Sequence, residues 1–193
     1  LERTILDARV TAMMVGNVAD IALAGMSPRG AIGRKPAPVN RRMVVDPGMK
    51  QPPIRLSETN SQGQARGGYA TIEEPMMGTG TEASRRITTP GWSGHGTRFD
   101  EARGHLIANS LGGRGDDPRN LVTLTQKGAN HPEMSNFERA VTRKVRSGEV
   151  VEYSAIPLYS AGHLAPSAVL VTARDSRGGF DARLIANPAG RKQ

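Results

Sequence analysis

The chain has 193 residues, a formal net charge of +8 and no cysteine. That length accommodates one domain with its own core plus an additional arm. The lack of cysteine excludes disulfides and thiolate metal sites, and the basic excess favours a polyanionic partner: nucleic acid, an anionic membrane surface or an acidic protein.

In chain order, the first feature is the apolar stretch "VTAMMVGNVADIALAGM" at 10–26. It is short for a membrane span, and Asn17 and Asp20 interrupt it. It lacks the basic leader and clean apolar run of a signal peptide. The expectation for residues 1–26 is an Ala-rich helical segment and no membrane span. From residue 27 the texture changes to "SPRGAIGRKPAPVNRRMVVDPGMKQPP". Proline fixes φ and removes donors, and glycine raises the entropy cost of ordering. Residues 27–65 are therefore expected to be a linker or extended arm, made basic by Arg34, Lys35, Arg41 and Arg42. A solvated spacer is favoured there over a nucleic-acid-binding arm.

A folded domain is expected over 66–193. "GGYATIEEP" alternates like a strand, and "MGTGTEAS" and "TTPGWSGHGTRF" read as loops. "NLVTLTQ", residues 120–126, reads as a strand announced by the turn residues "GDDPR". "EMSNFERAVTRKVRSGE" reads as a helix, with Pro132 suited to its first turn and Gly148 to its end. Met134, Phe137, Val141 and Val145 recur at helical spacing and form its apolar face. Three strands follow, "EVVEYSAIPLY", "SAVLVTAR" and "FDARLIA", joined by turns. Strands around at least one essential helix make the class α+β.

Two clusters carry chemistry. The first lies in "FDEARGHLIANSLGG", residues 99–113. A neutral imidazole at His105 is suited to taking a proton near neutral pH. Arg103, two residues away on an extended strand, points to the same face and can grip a phosphate with two nitrogens. Gly104 between them lets backbone approach a ligand closely. The plainer reading is a surface arginine, a turn glycine and a packing histidine. The second cluster is "GANHPEMSNFERA". Asn130 offers an amide oxygen of the kind Mg²⁺ accepts, and Glu138 falls at the edge of the helix's apolar face. The plainer reading makes Asn130 a helix cap and Glu138 a solvated helix residue.

Together the two clusters resemble the DNA/RNA non-specific endonucleases with a ββα-metal, or His-Me finger, active site. That family carries Asp-Arg-Gly-His on a strand, then an Asn metal ligand just ahead of a helix that bears a Glu. Here the corresponding residues are Ala102-Arg103-Gly104-His105, Asn130 and Glu138. The run "HLIANSLGG…DDPRNLVTL…AN…M…FE" resembles the branch found in bacterial secreted and polymorphic toxins. The resemblance covers about 67–188 and leaves residues 1–60 uncovered.

The resemblance implies a central antiparallel sheet with a catalytic helix, and a Mg²⁺-dependent endonuclease in which Mn²⁺ substitutes. It implies His105 as general base, Asn130 as direct metal ligand, Glu138 as holder of metal-bound waters, and Arg103 as binding or positioning the scissile phosphate or bracing the site. It also implies 5′-phosphate products and little sequence preference. A toxin module at the end of a larger secreted polypeptide follows by analogy, acting on DNA, and on RNA as a second substrate, in the cytoplasm of a target cell. An acidic immunity protein would be its partner in the producing cell. An RNA-directed nuclease toxin of the same fold and a non-catalytic nucleic-acid-binding module are the rival readings.

Ala102 stands where the family has aspartate, which puts the surroundings of the site in question. Glu101 shares a face with Arg103 and His105, where an ion pair to Arg103 or a hold on a metal-bound water competes with a solvated charge. Asn120 is expected to fix a turn rather than bind metal. His95, His131 and His163 are weaker candidates, and Trp92 and Phe99 are expected to anchor core or loops.

Overall fold

A computed structural model describes residues 53–94 and 96–188. The expected N-terminal helix and most of the Pro/Gly/Arg-rich arm lie outside the described residues, as do His95 and the side chain of Phe99. Among the described residues no helix is long and apolar enough to cross a membrane.

The main sheet has five antiparallel strands in the order β1-β2-β7-β8-β9. They are β1 (Ile54–Leu56), β2 (Gly68–Ile72), β7 (Val151–Leu158), β8 (Ala168–Asp175) and β9 (Phe180–Ala186). The pairing of Ile54 with Ala70 and Leu56 with Gly68 brings the first strand into the sheet twelve residues before the expected boundary at Arg66. Only three residues long and flanked by prolines and polar residues, β1 carries too little alternation to be read from sequence.

Register explains which sheet face is buried. Ala70 sits opposite Tyr153 and Ile72 opposite Val151. Tyr153 in turn sits opposite Ala173, Ala155 opposite Val171, and Val169 opposite Ile185. Strand side chains alternate between faces, so these residues form one continuous inner surface, and all are buried. Thr71, Glu152 and Arg174 point the other way and are exposed.

The helix α1 (Glu133–Arg146) lays Met134, Phe137, Val141 and Val145 against that surface, the four residues expected from the spacing. Each such side chain contributes roughly 1.5–3 kcal/mol on burial. Gly148, with φ of +86°, takes the left-handed conformation just past the helix end. The Phe137 ring tilts against Tyr153 of β7 at a centroid distance of 6.1 Å.

The hairpin β3 (Glu101–His105) and β4 (Leu121–Thr125) is a separate two-stranded sheet. Val122 and Leu124 join the common core, and every residue of β4 is buried. Beyond β4 a two-residue ladder pairs β5 (Lys127–Gly128) with β6 (His131–Pro132) and leads into α1. The outer edge of β4 is closed by Asn187, just past β9. Its Oδ1 accepts from Thr125 N at 2.9 Å and its Nδ2 donates to the carbonyls of Thr123 and Pro166. A buried amide must find such partners, and here two of its bonds serve the hairpin while the third ties it to the turn before β8. Hairpin and helix together make the ββα unit that carries the site.

Candidate active site

His105 ends β3, and its Nε2 lies 3.0 Å from the Thr81 carbonyl oxygen. A carbonyl only accepts, so Nε2 carries the hydrogen, and in the neutral ring Nδ1 holds the free lone pair. Burial lowers the pKa of His105, against the opposing effects of the Thr81 bond and the Glu82 charge. The loop bearing Thr81 is laced to the segment after β3. Thr81 N donates to the Gly113 carbonyl at 3.1 Å, Gly115 N to Thr81 Oγ1 at 2.8 Å, and Asn109 Nδ2 to Glu82 Oε1 at 2.6 Å. The fit is tight enough that a Cβ at Gly113 would stand 1.7 Å from the Ile107 carbonyl oxygen. Gly113 is therefore a steric requirement and Gly112, with φ of +92°, a conformational one, while Leu106, Ile107 and Leu111 are buried core.

Asn130 precedes α1 and Glu138 lies on it. Asn130 Nδ2 donates to Gln126 Oε1 at 3.0 Å, which sets the amide so that Oδ1 turns toward β3. A Cβ on Gly104 would lie 3.3 Å from that oxygen and 2.4 Å from Leu124 Cδ1. Only glycine leaves the room. Glu138 sits on α1 beside the buried Tyr153, whose hydroxyl donates to the Leu106 carbonyl at 3.1 Å. Burial pushes the Glu138 carboxyl up to about 7, with Arg139 opposing. Asn130 thus meets β3 at the residue before His105, and Glu138 lies by Tyr153, which bonds the residue after it.

Arg103 shares the His105 face. Its Nε donates to the Ile87 carbonyl at 2.7 Å, and its guanidinium lies 4.1 Å from the Trp92 ring centroid. Glu101 makes no ion pair with it among the described residues. The Glu101 carboxylate is taken instead by Ser93, whose N lies 3.1 Å from Oε1 and whose Oγ lies 2.7 Å from Oε2. The ion pair considered from strand alternation gives way to a nearer pair of donors that the sequence places eight residues away. Ala102 alternates onto the face of Gly104.

Asn120 is fully buried and holds the turn. Its Oδ1 accepts from Ile107 N at 2.8 Å, and its Nδ2 donates to the carbonyls of Ile107 and Arg114. His131 is exposed and bonds Ser135 Oγ at 2.9 Å. The His163 ring, in the turn between β7 and β8, leaves Nδ1 buried with no partner among the described residues. Sequence reasoning missed Thr81, Gln126 and Tyr153. Thr81 and Tyr153 act on or through backbone carbonyls, which leave no mark in a sequence. Gln126, four residues before Asn130, was legible in spacing alone.

A sequence model of the family described as DNA/RNA non-specific endonuclease matches residues 55–177. Among solved structures, the Sda1 nuclease with bound zinc ion is 23% identical, with a TM-score of 0.61 over 69% of this chain and 73% of that one. NucA from Streptococcus agalactiae with magnesium ion bound is 20% identical, with a TM-score of 0.61 over 69% and 70%. An extracellular endonuclease is 19% identical, with a TM-score of 0.53 over 73% and 81%. These likenesses establish the shared fold. A search of the curated proteins returned no match. With a ββα hairpin–helix unit and a family match over most of its described length, this chain belongs to the DNA/RNA non-specific endonuclease family and is a nuclease of the ββα-metal fold.

Proposed function

We propose that the chain is a divalent-metal-dependent endonuclease that hydrolyses phosphodiester bonds in DNA, and in RNA as a second substrate, at the His105 site. One observation carries this reading: the Thr81 carbonyl fixes the His105 ring with Nδ1 free, next to a strand position that Asn130 approaches. Nδ1 takes the proton of the attacking water. Burial keeps the ring neutral, and so able to act, at lower pH than an ordinary histidine. Arg103 holds the phosphoryl oxygens through its terminal nitrogens.

The donor set fits a hard divalent ion. Asn130 Oδ1 accepts no hydrogen bond among the described residues, and its amide is already turned by Gln126. The Glu138 carboxylate accepts none either among those residues, and it is half-buried. Asn130 would hold the ion directly and Glu138 through water, the oxygen-rich arrangement Mg²⁺ or Mn²⁺ takes. When bound, the ion supplies positive charge for the phosphoryl group and the departing 3′ oxygen. Digestion of plasmid, single-stranded DNA and total RNA with Mg²⁺, Mn²⁺ or EDTA tests the reading; cleavage that persists in EDTA sinks its metal dependence.

We also read the chain as the C-terminal toxin module of a secreted effector, delivered by a larger polypeptide and acting in a target cytoplasm. Support comes from the toxin-branch likeness of residues 105–138 and from the fold shared with a solved extracellular endonuclease. The +8 charge suits an acidic immunity protein. Cytoplasmic expression of wild type beside His105→Ala in a bacterial host is the check, since a harmless wild type ends the toxin reading.

A further inference from the structure

Residues 87–93, "ITTPGWS", wrap the Arg103 side chain. The Ile87 carbonyl takes Nε, and the Trp92 ring covers one face of the guanidinium. The strap is moored to the hairpin at further points. Thr123, the register partner of Arg103, donates from Oγ1 to the Pro90 carbonyl at 2.9 Å and accepts from Thr89 Oγ1 at 2.6 Å. Both threonines are buried. At the far end, Glu101 grips Ser93 through its N and its Oγ. Arg103 is thus held at Nε and over one face, while its terminal nitrogens have no partner among the described residues. A planar fork held this way presents those nitrogens to phosphate oxygens in one orientation.

We propose that Trp92 and Glu101 are positioning residues for phosphodiester cleavage: Glu101 holds Ser93, which keeps Trp92 under Arg103, so that the guanidinium meets the scissile phosphate already oriented. This rests on the reading of Arg103 as the phosphate contact. A free arginine samples many rotamers, and fixing it beforehand removes an ordering cost at the reacting centre. The benefit falls on kcat more than on KM. It also gives the Ser93–Glu101 bonds a purpose that a solvated surface carboxylate would lack.

Trp92 is the only tryptophan in the chain, so intrinsic fluorescence reports on the strap alone. Trp92→Phe keeps an aromatic face and is expected to retain kcat within roughly threefold, whereas Trp92→Leu and Glu101→Ala each lower it about 10- to 100-fold with KM little changed. Glu101→Ala should also red-shift Trp92 emission and raise its quenching by acrylamide. Wild-type kcat in a folded Trp92→Leu, or wild-type emission and kcat in Glu101→Ala, overturns the proposal. If Trp92→Leu does not fold, Glu101→Ala decides. Arg103→Met separates the two levels. Loss of cleavage there, beside a fully active Trp92→Leu, overturns only the strap, while full activity in Arg103→Met removes the phosphate contact and the strap with it.

Discussion

At His105 one hydrogen bond decides which nitrogen does the work. Because Nε2 is committed to the Thr81 carbonyl, the proposed base is Nδ1, and His105→Ala should lower cleavage by about 10²-fold or more while the fold survives. Near-normal cleavage by the folded variant would remove His105 from the reaction. Burial lowers its pKa, so at saturating metal the acid limb of kcat/KM should fall below pH 6.5; a limb above that value contradicts the buried ring. Glu138 runs in the opposite sense. Its folded pKa of about 7 exceeds that of a free carboxyl, so the stability of the neutral form is present at low pH and lost as pH rises through 7. Glu138→Gln should therefore stabilise the metal-free protein by up to about 2 kcal/mol at pH 8, with the gain shrinking toward pH 5, while cleavage drops. Thermal melts at the two pH values, taken in EDTA, are the check. Asn130→Ala should weaken Mg²⁺ or Mn²⁺ binding in calorimetry, and an unchanged affinity would strike it from the ligand set.

Among the elements, the ββα unit works because loops are clamped to it, and glycine makes the clamps possible. Gly113 packs so closely on the Ile107 carbonyl that any side chain must displace backbone. Gly113→Ala should cost about 3 kcal/mol and, by shifting the Thr81 loop, lower activity beyond what the lost stability explains. Calorimetric melting beside kcat on the residual folded fraction separates those effects. A stable Gly113→Ala with full activity would show that the loop carrying Thr81 has other freedom. The helix depends on its register in the same way. Phe137 and Val141 bury one face, and that burial turns Glu138 toward Tyr153 rather than toward water.

For the whole molecule the matter is charge. Residues 1–52 hold 8 of the 26 basic and 4 of the 18 acidic side chains, and Arg191 and Lys192 lie past residue 188, so three quarters of the net +8 lies outside the described residues. Each phosphate neutralised on binding releases counterions. DNA affinity of the full-chain His105→Ala variant should then fall steeply with salt, measured by fluorescence anisotropy between about 50 and 200 mM. A flat response would assign the charge to an acidic protein partner instead.

Sequence alone determined what depends on neighbours along the chain. The four apolar residues of α1, its glycine stop, the three C-terminal strands and the Arg-Gly-His and Asn…Glu motifs are all local patterns, with periods of 2 or 3.6 or fixed spacings. Membership of the family followed from two such motifs in combination. Tertiary structure alone decided what depends on residues far apart. No spacing rule brings the Thr81 carbonyl, 24 residues upstream, to His105 Nε2, or places Asn187 against β4. Glu101 shows the limit most directly: alternation correctly put it on the Arg103 face, but its partner was chosen by where the 87–93 loop folds back. Backbone carbonyls and returning loops are common to every sequence, so their roles are settled only when packing brings them within hydrogen-bonding distance.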